Sequence, residues 1–305
     1  MTDFDQSGDP LVSVIMPNYN KEKFIVESIR GIQNQSFGNL ELLIVDDAST
    51  DDSLKTIRRA AADDGRIKIF SQPINMGAAC ARNTGLKNSK GDCIGFCDSD
   101  DIWLSEKLDI QVRALKQNPG VDVVHGDSLI IDAAGNLTGE TFGSIYATEK
   151  RNKNGFVFND LIRTNYISTS TVLLKRTCIE SIGFFPENIK WLEDWIYMLR
   201  LAKKYKFLYI KEPVVKYRVY EGNSLYDVEN YEKSRLSAYP MILSEFPSLD
   251  KNIKAFLHQR MGRVLLGLGR PVEGRQHLLK SLVKRPFSPK TLGYYFSSFL
   301  LRSKQ

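Results

Sequence analysis

Residues 97 to 103 read CDSDDIW, with Asp98, Asp100 and Asp101 directly behind the apolar run CIGFC. Carboxylates packed that closely raise one another's pKa unless a cation or strong donors sit among them. The cluster therefore calls for a positive group, and hard divalent cations such as Mg2+ or Mn2+ are commonly held by one or two carboxylates together with phosphate oxygens and water. A second acidic pair, Glu193 and Asp194, opens the amphipathic stretch WLEDWIYMLRLAKKY, where carboxylates also complement the dipole of a helix start. The three histidines, His125, His258 and His277, show no metal-ligand spacing, so acid and base chemistry is expected to run on carboxylates. The four cysteines include no CxxC pair, and Cys93 and Cys97 sit too far apart along a strand for a disulfide, which also disfavours zinc.

These groups need rigid elements behind them, and the first 130 residues supply the alternation of βαβ units. LVSVIM (11–16) reads as a buried strand stopped by Pro17, and 24–35 as a helix with Phe24, Ile25, Ser28, Ile29 and Ile32 on one face. ELLIVDD (41–47), RIKIF (66–70) and DCIGFCD (92–98) read as strands, with helices over 53–62 and 78–88. The order predicts an α/β, Rossmann-like architecture: a mostly parallel sheet flanked by helices, whose ligands bind at the carboxyl ends of the strands. PNYN (17–20), DDAST (46–50) and DSDD (98–101) all fall at such ends. Neither GxxxxGK[ST] nor a GxGxxG after the first strand occurs, which argues against a P-loop and against the dinucleotide fold.

The composition is that of a globular chain: 305 residues, 42% hydrophobic and 26% charged. No run approaches the roughly 18–20 apolar residues of a membrane span. The N-terminal MTDFDQSGDP lacks the basic-then-apolar pattern of a leader, so the expected location is the cytoplasm, up to the inner face of the membrane, with residues 1–10 flexible. The net charge of +6 is uneven. Residues 226–305 hold 14 Lys and Arg against 6 Asp and Glu, or +8, which leaves 28 against 30, or −2, on the first 225.

Five segments together resemble the family 2 glycosyltransferases, whose fold is the GT-A nucleotide-diphospho-sugar fold: VSVIMPNYN (12–20), ELLIVDDASTDDS (41–53), NMGAACARNTGL (75–86), FCDSDDIW (96–103) and WLEDWIYMLRLA (191–202). The resemblance implies a catalytic domain over 11–225. It implies an inverting, metal-dependent transferase moving a sugar from a nucleotide-sugar, foremost a UDP-sugar, to a saccharide or lipid-linked acceptor in cell-surface polysaccharide synthesis. Asp98, Ser99 and Asp100 match the DxD motif. Asp100 or Asp101 would touch Mn2+ or Mg2+, the others would hold ribose or sugar hydroxyls, and the bound ligand, not the fold, would relieve the repulsion in the cluster. Asp47 matches the acceptor for the uracil NH, with Pro17, Asn18 and Tyr19 completing the base pocket. Arg82 and the turn from Asn75 to Gly77 would sit by base or diphosphate. Asp194, beside Glu193, would be the general base. Tyr220 in KYRVYEGNS (216–224) stands where many members have a histidine, whose role therefore does not transfer, while Arg218 is expected to be available to a phosphate.

Two other readings compete. A sugar nucleotidyltransferase would need a glycine-rich basic loop after the first strand, which PNYNKEKF is not, and a binding protein without catalysis is opposed by the intact acidic pairs. Residues 141–168 read as loop and then a short helix, in the half of the domain that contacts acceptor in the family. Residues 226–305 read as a basic helical appendage, with helical stretches at 256–269 and 271–286 joined by a turn at GLG (267–269) and resembling one tetratricopeptide-like unit, too few to stack. Its basic charge beside Tyr294, Tyr295, Phe296, Phe299, Leu300 and Leu301 suits an anionic bilayer surface. No nucleic-acid motif accompanies it.

Overall fold

The computed structural model describes residues 8–146, 151–221 and 228–300. The chain divides between Tyr220 and Glu221 into two compact units. The sequence-based boundary at 225 and residues 1–7 of the expected flexible N-terminus lie outside the described residues.

In the first unit β1 (Val12–Asn18), α1 (Ile25–Gln33), β2 (Leu40–Asp46), α2 (Ser53–Ala61), β3 (Ile67–Ser71), α3 (Ala78–Asn88) and β4 (Cys93–Phe96) alternate as the apolar patterning dictates. Every residue of β1 and β2 is buried, the mark of strands covered on both faces. β3, β2, β1 and β4 lie side by side and parallel. Gly85 lets α3 lie directly on β1, since a Cβ there would come within 2.5 Å of the Ile15 side chain. One expectation fails: Pro17 does not stop β1, which runs on to Asn18 in register with Asp46. Pro17 faces the β4 side beyond the last pair, Ile15 and Phe96, so its missing N–H removes no ladder bond.

The unit continues through β5 (Ile102–Trp103), α4 (Lys107–Gln117), β6 (Val123–Ile131), β7 (Leu137–Thr141), α5 (Phe142–Ile145), α6 (Phe158–Leu161), a 3-10 turn (Thr169–Thr171), β8 (Leu173–Lys175), α7 (Arg176–Ile182), α8 (Glu193–Lys204) and β9 (Phe207–Arg218). These extend the sheet to the order β3-β2-β1-β4-β8-β6-β9-β5, with β7 paired to β6. β8 runs antiparallel to β4 and β6, and β9 parallel to β6, so β1 to β4, β6 and β9 share one direction. The sheet is mostly parallel, as expected. The buried ring of Trp103 reaches β4, where a Cβ on Gly95 would meet it at 2.8 Å. That contact pins both ends of the segment carrying Asp98 to Asp101. The four cysteines are buried and free.

The second unit comprises α9 (Val228–Glu245), α10 (Lys251–Gly267), α11 (Pro271–Lys284) and α12 (Pro289–Ser297). The turn expected at 267–269 is present, with Gly269 at φ +72°. Gly262 and Gly274 let α10 and α11 approach backbone to backbone, a Cβ on Gly274 lying 3.1 Å from the Gly262 carbonyl oxygen. The approach brings His258 and His277 together, their Nδ1 atoms 3.2 Å apart, a pairing no sequence spacing announced. Val283, Phe287, Phe296, Phe299 and Leu300 are exposed, Tyr294 and Tyr295 are half-buried, and Leu301 lies outside the described residues. Among the described residues no helix is long and apolar enough to cross a membrane.

Candidate active site

The ends of β1 and β2 are tied to each other by buried polar groups. Asn18 donates from Nδ2 to Asp46 Oδ1 (2.8 Å) and Ser49 Oγ (3.1 Å), while its Oδ1 is buried with no partner among the described residues. Asp47, also buried, accepts the backbone N–H groups of Met76 (2.8 Å) and Gly77 (2.7 Å). Its two oxygens thus fix the turn at Asn75 to Gly77, where Gly77 takes φ +91°. A carboxylate has about four acceptor sites, so a further donor can still be received. Pro17 is buried, and Tyr19 and Asn75 are exposed.

In the DSDD cluster each carboxylate has a different partner. Asp98 pairs with Arg82 (2.8 Å). Asp100 pairs with Lys21 (2.9 Å) and accepts the Tyr220 hydroxyl (2.7 Å). Asp101 accepts the Ser170 hydroxyl (2.6 Å) and the Arg218 N–H (3.2 Å). This corrects the expectation that a bound ligand alone relieves the repulsion, because the fold supplies two cations and two hydroxyls. Burial, with Asp100 and Asp98 adding to it, pushes the Asp101 carboxyl well above its usual range. Asp101 is 1% exposed with both oxygens engaged, whereas the Asp98 side chain is 32% exposed. Ser99, expected near ribose or sugar hydroxyls, is buried.

Lys21 and Ser170 escaped sequence reasoning, and Tyr220 was marked only as a departure. Lys21 also donates to the Tyr220 hydroxyl, and the Tyr220 ring packs on Phe24 at 4.7 Å. Burial would lower the Lys21 pKa, but Asp100 and Tyr220 outweigh it and hold the ammonium above its usual value. Arg218 is not open to a phosphate: it is buried, donates to the carbonyls of Asp100, Asp132 and Ala133, and pairs with Glu27.

Leu192, in a left-handed conformation at φ +66°, turns the chain into α8 so that Glu193 and Asp194 occupy its first turn. Glu193 pairs with Arg82 at 2.7 Å. Arg82, expected by the base or diphosphate, is a buried strut joining Asp98 to Glu193. Asp194 accepts its neighbour's backbone N–H at Trp195 (2.7 Å), the Thr169 hydroxyl (3.3 Å) and Asn165 Nδ2 (3.4 Å). Burial raises its pKa and Asp98 adds to this, against the pull of Arg82. Burial likewise raises Glu193, opposed by Arg82. A carboxylate lifted above its ordinary value is a better proton acceptor, the property a general base requires.

Asn20, Ala48 and Leu192 are the non-glycine residues with positive φ among the described residues, and they follow β1, follow β2 and precede α8. Strain of this kind gathers where a fold over-determines a functional geometry. For a cation the donor set fits the habit of Mg2+ and Mn2+, one or two carboxylates with the remaining positions left to phosphate and water. Among the described residues no three His, Cys, Asp or Glu side chains gather into an all-protein cage.

The family model for Glycosyl transferase family 2 matches residues 13–173, more than half of the chain. An uncharacterized glycosyltransferase of Haemophilus influenzae is 37% identical over 197 residues, covering 65% of this chain and 74% of that protein. The UDP-Glc:alpha-D-GlcNAc-diphosphoundecaprenol beta-1,3-glucosyltransferase WfgD of Escherichia coli is 36% identical over 176 residues, 58% of this chain and 64% of that protein. Two longer relatives are matched over only 38% of their own length. In fold, the chain is like S. aureus TarS 1-349 in complex with UDP-GlcNAc, with a TM-score of 0.66 at 20% identity over 94% of this chain and 90% of that one. With the five motifs in order along one sheet edge and the family model spanning three of the strand-end clusters, the chain belongs to glycosyl transferase family 2 and carries the GT-A glycosyltransferase fold.

Proposed function

We propose that this glycosyltransferase transfers a sugar with inversion from a nucleotide-sugar, foremost a UDP-sugar, to an acceptor hydroxyl, with Asp194 as general base. The observation that carries this reading is the Arg82 bridge, which ties the strand-end carboxylate Asp98 to the helix start bearing Glu193 and Asp194. Donor binding and proton transfer are thereby fixed to each other. Asp194 takes the proton from the acceptor hydroxyl as its oxygen attacks the anomeric carbon, the carbon–oxygen bond to the diphosphate breaks, and the electron pair leaves with the nucleotide diphosphate. Asp98 and Asp100 would hold Mn2+ or Mg2+, which as a Lewis acid supplies charge stabilisation to the leaving diphosphate. Asp47, Asn18 and Tyr19 would meet the base, with Asp47 also holding the turn at Asn75 to Gly77.

The acceptor of the E. coli relative, a diphosphoundecaprenol-linked sugar, supports a lipid-linked or saccharide acceptor and a place in surface polysaccharide synthesis. A peripheral attachment of the second unit to an anionic bilayer is supported by its charge and by the exposure of Phe287 (92%) and Leu300 (87%). Equal sedimentation of the full chain with anionic and with neutral vesicles would remove that attachment. The decisive experiment for the reaction is a panel of nucleotide-sugars assayed for nucleotide release with Mn2+ and with EDTA, using lipid-linked and free saccharide acceptors. Acceptor-stimulated release of UDP is the expected result. Release of pyrophosphate from a nucleoside triphosphate and a sugar phosphate would instead mark a sugar nucleotidyltransferase.

A further inference from the structure

We propose that Lys21 is a resident cation of the donor site, its ammonium standing in for part of the divalent ion's charge so that the nucleotide diphosphate binds without metal. The inference rests on the nucleotide-sugar reading above. Lys21 directly follows the PNYN cluster at the end of β1, and its Nζ lies 2.9 Å from Asp100, the carboxylate placed for an ion. The Tyr220 hydroxyl receives a hydrogen bond from that ammonium and donates to the same carboxylate at 2.7 Å. It therefore closes a three-membered network and reinforces the Lys21–Asp100 pair instead of offering a ligand of its own.

Both neighbours of the network are fixed. The Tyr220 ring rests on Phe24 at 4.7 Å, and Arg218, two residues earlier, donates to the Asp100 carbonyl at 3.0 Å. Lys21 is the more exposed partner of the ion pair, 26% against 12% for the Asp100 side chain, a point charge on a four-carbon stem of the kind that suits phosphate oxygens. A divalent ion at Asp100 would meet that ammonium as a like charge, so ion and lysine compete for one carboxylate. The fold thus arrives at the donor site already carrying a cation.

The test titrates UDP by calorimetry into the full chain in EDTA and in Mn2+, for the parent protein, Lys21→Met and Tyr220→Phe, with thermal unfolding followed for each. The parent should bind UDP in EDTA within about fivefold of its affinity in Mn2+, and Lys21→Met should weaken binding at least ~tenfold in EDTA but less than ~threefold in Mn2+. Tyr220→Phe should shift affinity in the same direction by a smaller factor. If Lys21→Met lowers the melting temperature, Tyr220→Phe, which keeps the ring on Phe24, decides by the same EDTA-against-Mn2+ criterion. Parent protein that binds UDP only with Mn2+, or variants that lose equal affinity in both buffers, overturn the resident cation and leave the nucleotide-sugar reading standing. No UDP binding in either buffer overturns the resident cation together with the uridine preference of the donor site.

Discussion

Asp98 to Asp101 and Glu193 with Asp194 are two like-charged groups at one sheet edge, and within each the fold treats neighbouring carboxylates in opposite ways. In the first, Arg82 faces Asp98 and Lys21 faces Asp100, while the buried Asp101 has only neutral donors. In the second, Glu193 takes the other nitrogen of Arg82, and Asp194 is left with the neutral donors Thr169, Asn165 and the Trp195 N–H. A buried carboxylate with a cation beside it is favoured as an anion, whereas one with neutral partners is drawn toward holding a proton. Residue type is the same throughout. What separates a carboxylate held as an anion from one drawn toward a proton is which side chains the fold brings against it.

The largest effect should come from removing the proton acceptor. Asp194→Asn should cut transfer by about 10²–10⁴-fold with UDP affinity within about threefold of the parent, read by product formation and calorimetry. Unchanged transfer would move the base elsewhere. Next is the residue that serves both groups: Arg82→Met leaves two carboxylates without their cation and should cost about 3–5 kcal/mol in urea unfolding. The pH profile of the folded variant sharpens the point. Arg82 lowers the Asp194 pKa, and activity needs the anion, so the acid limb of kcat/KM should move to higher pH when Arg82 is lost.

A smaller contrast separates Asp100 from Asp101. Asp100→Asn should weaken Mn2+ binding about tenfold or more by electron paramagnetic resonance. Asp101→Asn should leave that affinity alone and cost about 1–2 kcal/mol of stability through its Ser170 and Arg218 bonds. Weakened Mn2+ binding in Asp101→Asn would return Asp101 to the ion. The smallest expected shift in the pH profile is that of Asp98→Asn, whose acid limb should move to lower pH because Asp98 raises the Asp194 pKa, alongside the weaker Mn2+ binding that follows from losing a proposed ion ligand.

The parallel strands could be read from sequence because burial on both faces writes continuous apolar runs such as VSVIM and LLIV. Polar residues directly after those runs have only the sheet edge to occupy, which is why PNYN, DDAST and DSDD were recognisable as one edge. Their partners were not recognisable. Ser170 meets Asp101 across 69 residues, and Lys21 meets Tyr220 across 199, separations over which no periodicity connects one position to another. Arg218 was misjudged for a related reason: an arginine beside a site motif looks the same in sequence whether it faces solvent or is buried, as Arg218 is. Pro17 misled differently, because a missing N–H ends a strand only where a neighbour would have used it, and β4 has stopped pairing by then.

Asn20, Ala48 and Leu192 hold left-handed backbone that costs a residue with a Cβ about 1–2 kcal/mol, somewhat less for asparagine. Glycine at each would be free of that penalty, and a domain's whole net stability is only about 5–15 kcal/mol. The buried Leu192 and the hydrogen-bonded Asn20 would lose more to glycine than the strain returns. Selection for heat tolerance alone would find Ala48 early, where glycine gives up only a methyl group, and slacken the loop it holds without touching an aspartate. Its product would be a sturdier protein with every site carboxylate in place and the reaction slowed, a decoy that a count of its aspartates would still place among the active members.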